Sequence, residues 1–232
     1  MMNAVGEGHT DQEAEFPGLF KRYVLVYFSP DLLFQGLRGR PDWVGALILG
    51  GCLTAAGTML LPPDLMLATI REQALAQGQS FPPFLANPPW WLRPALGAGA
   101  LVGWSVIVAI FAGLVMLFFA ILMGHEGTYR QYFAVVVHAH LIVATSTVLL
   151  IPLRIAGDDA QLLLSLGSFA VFLESGYMLR LLSFVDLFGL WAWLLVGLGA
   201  ARIGRKKSWT FGAVVMLMIP ATMAALFAIF GG

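Results

Sequence analysis

Charge is what this chain has least of. Only 11% of its 232 residues are Asp, Glu, Lys or Arg, with 13 basic against 13 acidic, so the formal net charge is zero. Globular domains usually carry about a quarter charged residues, and no water-soluble domain of this length covers its surface with so few. The balance also removes the basic field that nucleic acid would require, so no nucleic-acid partner is expected. Cysteine is nearly absent: the lone Cys52 lies inside an apolar run, which excludes an intrachain disulfide framework and a thiolate metal cluster. The sequence also lacks a Walker loop, a dinucleotide-binding glycine fingerprint, HExxH and GxSxG, so nucleotide-dependent and common hydrolytic chemistries have no carrier. The expectation is a protein that is not an enzyme, with no catalytic residue, no cofactor and no metal site.

What the chain has is apolar sequence: 59% of residues are hydrophobic and the mean hydropathy is +0.83. Hydrocarbon cannot satisfy a free backbone N–H or C=O, so spanning segments are helices or closed barrels; long apolar runs without two-residue alternation select helices. The reading is an all-α, polytopic transmembrane bundle. Five runs approach the ~20 residues that cross ~30 Å of hydrocarbon: 43–61, 95–123, 132–153, 183–201 and 209–230. Residues 1–16 read as a flexible acidic tail, 17–42 as a cytoplasmic interfacial region, and 43–232 as the transmembrane domain with outer segments 62–94 and 154–182. The tail lacks the basic-then-apolar design of a cleavable signal, so the first span is expected to stay as an anchor.

Within 17–42, Pro30 suits a first helical position, Asp31 the positive end of the helix, and Ser29 a cap. Leu32, Leu33, Phe34 and Leu37 then favour a short helix lying in the membrane surface. Residues 161–182 are apolar for only about half a membrane and are interrupted by Glu174 and Arg180, which fits a surface or re-entrant helix. Gly51 with Ala55, and Gly99 with Gly103, predict small faces where another helix approaches closely.

Positive charge sets the orientation. With the N-terminus inside, the cytoplasmic segments hold Lys21, Arg22, Arg38, Arg40, Arg130, Arg202, Arg205, Lys206 and Lys207, whereas the outside holds only Arg71, Arg93, Arg154 and Arg180. The positive-inside rule therefore predicts N-in and C-out.

Three stretches resemble the Yip1-domain family: SPDLLFQGLRGRPDW before the first span, GHEGTYRQYFAVVVHAHLIV leading into the third, and FVDLFGLWAWLLVGLGAARIGRKKSW across the fourth span and basic loop. The likeness runs from Pro30 to the end of the chain. It implies a five-span protein of the bacterial inner membrane with no settled activity; eukaryotic relatives work in ER and Golgi trafficking.

An ionisable group at the bilayer centre costs on the order of 3 kcal/mol on insertion scales, so such groups are the candidate site. They are His138, His140 and Asp186, with Thr145 and Ser146 nearby in depth. The histidines are two apart, about 200° around a helix, so one regular helix cannot chelate an ion with both. His138 shares its face with Gln131, Ala134 and Thr145, and is expected to be the more interior. Depth counting separates His138 from Asp186 by about 15 Å and predicts a hydroxyl–carboxylate bond from Thr145, Ser146 or Thr147 to Asp186 instead. Ordinary helix packing accounts for these groups as readily as transport does. On the cytoplasmic side, Glu126, Tyr129, Arg130, Arg205, Lys206 and Lys207 are candidate contacts for a partner or a lipid headgroup, although loop capping and the positive-inside rule supply the same residues. The expected partners are the lipid bilayer and a membrane protein or second copy of the chain. The competing reading is a small permease or channel component that uses Asp186 with His138 and His140.

Overall fold

Helices carry all the regular structure among the described residues apart from one isolated antiparallel bridge, Ser165 to Asp186. The computed structural model describes residues 16–80, 85, 87–170, 172–174, 176–205 and 208–230; the acidic tail 1–15, Lys206 and Lys207 lie outside them. The chain opens with two short helices, α1 (Leu19–Phe28) and α2 (Pro30–Gly39), joined at Ser29. Ser29 flanks α2, but its hydroxyl makes no capping bond. Its N–H instead bonds Leu25 O at 2.9 Å, and its carbonyl accepts from Leu33 N at 3.3 Å.

The 17-residue α3 (Val44–Leu60) ends at Leu61, before Pro62 and Pro63, and the chain turns through 93° into α4 (Pro63–Ala76). The turn follows from proline chemistry, since neither ring nitrogen can donate to the helical ladder. Helix α5 (Leu92–Met116) continues as a π-helical turn, Leu117–Leu122. Next, α6 (Tyr129–Leu149) begins at a capping box in which Thr128 N–H donates to the Gln131 side chain at 2.8 Å and Thr128 Oγ1 accepts from Gln131 N. Leu150 and Pro152 interrupt it, and α7 (Ile151–Ala156) follows. A 3₁₀ turn (Leu166–Phe169) and α8 (Tyr177–Ser183) precede α9 (Leu187–Ile203) and α10 (Thr210–Phe230).

Among the described residues, three helices are long and apolar enough to cross a membrane: Leu92–Leu122, Tyr129–Leu149 and Thr210–Ile229; the bent α3–α4 pair makes a fourth if counted as one span. The fourth apolar run, expected over 183–201, is helical only from Leu187, because Asp186 caps the helix there and Ser183 belongs to α8.

Helix α6 is the hub, packed against α3, α5 and α9 and carrying a core of Tyr132, Val135, Val136, Leu141 and Ile142. Glycine permits the tightest approaches. A Cβ on Gly199 would stand 2.2 Å from Val135, and one on Gly197 would stand 2.6 Å from the Gly212 carbonyl, so α9 touches α6 and α10 nearly backbone to side chain and backbone to backbone. Gly51 meets Leu101 in the same way, as the small face of α3 requires. The expectation for Gly99 and Gly103 is corrected, since neither has anything within 4 Å; Gly97, two residues earlier, receives Met59 instead. The reason is rotational register, which a shift of two residues changes by about 200°. Outward from α5 and α10 point Val102, Val106, Ile107, Ile110, Val214 and Met218, an apolar periphery far larger than a soluble monomer exposes.

The described residues of 161–182 hold the 3₁₀ turn and most of the short α8 rather than one continuous helix, and they are tied back by Leu166 N to Val185 O and Leu187 N to Leu164 O, each at 3.0 Å. Glu174 and Arg180 do not pair with each other.

Candidate functional site

His138 is fully buried on α6. Its Nδ1 lies 2.8 Å from Ala134 O, and because a carbonyl only accepts, Nδ1 carries the proton and Nε2 is left with its lone pair. That Nε2 has no hydrogen-bond partner among the described residues. Also buried is Arg22 of α1, 4% exposed. Arg22 donates through Nη1 to Asp42 O and through Nη2 to the Asp42 carboxylate, both at 2.9 Å. The Arg22 Nε is buried without a partner. A buried guanidinium survives only when paired and hydrogen-bonded, which is what the loop before α3 provides.

His140 points elsewhere. Its Nδ1 bonds Val136 O at 3.0 Å, and its ring stands edge-on to Phe111 at 5.2 Å, which in turn stands edge-on to Trp193 at 4.7 Å. The two histidines thus serve different faces of α6, as their spacing requires. Among the described residues no three His, Cys, Asp or Glu side chains come together as a metal-ligand set.

Thr145 is the centre of a hydroxyl cluster that sequence reasoning missed. Its Oγ1 donates to Leu141 O at 2.7 Å and so commits its single proton. Both phenols of α1 therefore donate to it, Tyr27 at 2.7 Å and Tyr23 at 2.9 Å, while the two phenol oxygens stand 3.4 Å apart. Tyr27 also meets Trp191 of α9 edge-on at 5.6 Å. Ser146 donates to Val143 O at 2.8 Å, and Thr147 to Ala144 O at 2.7 Å and Leu53 O at 3.3 Å.

Asp186 takes no hydroxyl from α6, which corrects that expectation. Its Oδ2 accepts from Gly189 N at 2.7 Å as the N-cap of α9; the competing bond is local and needs no partner helix. Its Oδ1 is buried without a partner. The carboxyl lines a small cavity of about 130 Å³ with Phe184, Leu190, Trp193, Pro220 and Ala221 between α9 and α10. His138 and Thr145 do not line that cavity. Among the described residues, the arrangement offers one carboxylate oxygen in an apolar recess whose lining holds no nucleophile or second base.

At the opposite end, two of the candidates for a partner or headgroup, Glu126 and Arg205, join each other, while Tyr129 and Arg130 bond backbone carbonyls. Arg205 pairs with Glu126 at 3.3 Å across an exposed gap, Arg130 Nε reaches Pro41 O at 3.3 Å, and Tyr129 OH donates to Ala109 O at 3.0 Å. Arg202 pairs with Asp31, and Gln131 Nε2 donates to Arg38 O at 2.7 Å. The N-terminal helices, the 124–128 hinge and the end of α9 are thus tied into one charged cap. Of these partners, Tyr23, Tyr27 and Asp42 escaped the sequence reading, which named Arg22 only for its charge and Asp31 only for the helix dipole. The only signal was the Tyr23–Tyr27 spacing, which puts two phenols on one helical face. No family model, no curated protein and no solved structure matches the chain.

Proposed function

We propose that the chain is a five-span membrane protein, N-in and C-out, that is not an enzyme and acts through protein or lipid contacts in the manner the Yip1-domain resemblance implies. The bacterial inner membrane is the location that goes with this reading. Helices α3, α5, α6, α9 and α10 support it by alternating in direction, with the charged cap at one end. The 17-residue α3 and α9 are each about 26 Å long, close to the ~30 Å hydrocarbon thickness. The single observation that carries the non-transport character is where the interior polar groups go: Thr145, Ser146 and Thr147 are all engaged in bonds within the protein, and His138 lies apart from the Asp186 cavity. A conduction path requires such groups to line one wet channel.

The permease reading draws on one feature, the unpartnered Asp186 Oδ1 in its recess. Reconstitution discriminates the two. Purified chain in nanodiscs is expected to self-associate or retain a membrane partner on crosslinking, and proteoliposomes are expected to show no proton or ion flux above empty vesicles. A strictly monomeric chain with no partner would overturn the scaffold reading. Flux abolished by Asp186→Asn or His138→Ala would replace it with the permease.

A further inference from the structure

We propose that α1 and α2 form a re-entrant hairpin, entering from the end that holds the charged cap, whose Ser29–Pro30 tip is embedded among the acyl chains of the bilayer; the inference rests on the membrane-spanning reading above. Depth carries it. Thr145 lies sixteen residues beyond the start of α6 at Tyr129, about 24 Å along the helix axis. Both phenols of α1 reach its hydroxyl, so the end of α1 lies well past the level of the charged cap. A helix resting on the membrane surface would leave those phenols far short of Thr145.

The hairpin is built for that depth. Its outward side chains are Phe20, Phe28 and Leu32, exposed by 79%, 82% and 62%, and Phe28 and Leu32 flank the tip. Its inward side chains, Val26, Leu33, Phe34 and Leu37, are buried against α6 and α9. Lys21, Arg38 and Arg40 stand exposed at the open end, where the Phe16 ring lies 5.3 Å from Arg22 and 5.4 Å from Arg40. The one acid near the tip has both oxygens engaged, Asp31 pairing with Arg202 through Oδ1 and accepting a hydrogen bond from the Gln35 amide through Oδ2 at 2.7 Å. Backbone groups at the turn are equally spared. Ser29 N–H and C=O are both bonded, and Pro30 has no N–H to leave unsatisfied in hydrocarbon. Acyl chains are the occupant this surface fits, because the exposed Phe28 and Leu32 flank a tip that the Tyr27–Thr145 bond holds within the length of α6, one of the apolar spanning helices.

The test uses full-length chain carrying Cys52→Ser, with single spin labels placed by Phe28→Cys and Leu32→Cys at the tip, Lys21→Cys and Arg38→Cys at the base, and Met218→Cys on the outer face of α10. In nanodiscs, labels at 28 and 32 should collide with oxygen and lose collision with an aqueous nickel chelate, matching 218, while 21 and 38 keep the nickel response. Nickel access at 28 and 32 equal to that at 21 and 38, with 218 protected, overturns the hairpin and leaves the spans standing. Nickel access at 218 overturns the spanning reading and the hairpin together. Unlabelled chain gives a check free of substitution: amide exchange across Leu25–Leu33 should be strongly slowed in nanodiscs, and free exchange there overturns the proposal.

Discussion

Replacing Thr145 by Val removes one oxygen and keeps the branched shape, so its effect isolates the hydroxyl cluster that holds α1 to α6. Two phenol donors lose their acceptor. A hydrogen bond contributes about 1 kcal/mol in water-soluble proteins, and interhelical bonds within membranes average about 0.6 kcal/mol in double-mutant cycles. The Tyr23 and Tyr27 oxygens, 3.4 Å apart, can turn to each other and recover part of one bond. The expected loss is therefore about 1–2 kcal/mol in docking of the α1–α2 hairpin, with the rest of the bundle unchanged. In hydrogen exchange measured in nanodiscs this appears as roughly 5- to 30-fold faster opening of amides across Tyr23–Leu33. Ser146→Ala is the matched control, because that hydroxyl bonds only the carbonyl of Val143 on its own helix, and it should leave hairpin exchange unchanged. Equal exchange in the two variants would refute the reasoning, as would acceleration spread evenly over all helices.

Further consequences concern the other locked groups. Asp42→Ala strips the carboxylate from the buried Arg22 guanidinium, although Asp42 itself is 38% exposed, and thermal unfolding in detergent should register a destabilisation of about 1–3 kcal/mol; an unchanged midpoint would mean that the guanidinium does not depend on Asp42. Gly197→Leu forces a side chain into the Gly212 backbone, so α9 and α10 must separate at a cost of at least about 1–3 kcal/mol. Gly103→Leu, which meets nothing within 4 Å, should be near neutral in the same melt. At Asp186, Ala should cost about 1 kcal/mol through loss of the α9 cap whereas Asn should retain most of it; equal losses for both would show that the carboxylate charge matters beyond capping.

Apolar runs marked α3, α5, α6 and α10 well, because twenty or so residues of hydrocarbon-compatible sequence leave few alternatives. Basic residues near span ends were similarly legible, and they lie around the charged cap of Arg130, Arg202 and Arg205. The relative placement of His138 and His140 followed from helical rotation alone. What sequence could not supply is the azimuth of one helix against another. Depth counting put Thr145 and Asp186 within reach, yet Thr145 faces α1 and Asp186 spends an oxygen on Gly189 in the local D-x-x-G turn. The α5 small face was misassigned by two residues for the same reason, since Gly97 rather than Gly99 meets α3. The Arg22–Asp42 pair closes a twenty-residue separation across two helices and a loop, a distance at which no sequence periodicity speaks.

The central claim, that the bundle interior is packed rather than conductive, is tested most directly at His138. His138→Cys in the Cys52→Ser background, reconstituted in liposomes, should resist a small cationic thiol reagent added from either side, while a cysteine at the exposed Arg205 reacts readily from one side. Rapid modification at position 138 from either face would mean that water reaches the core of α6, and the packed-bundle account would be contradicted.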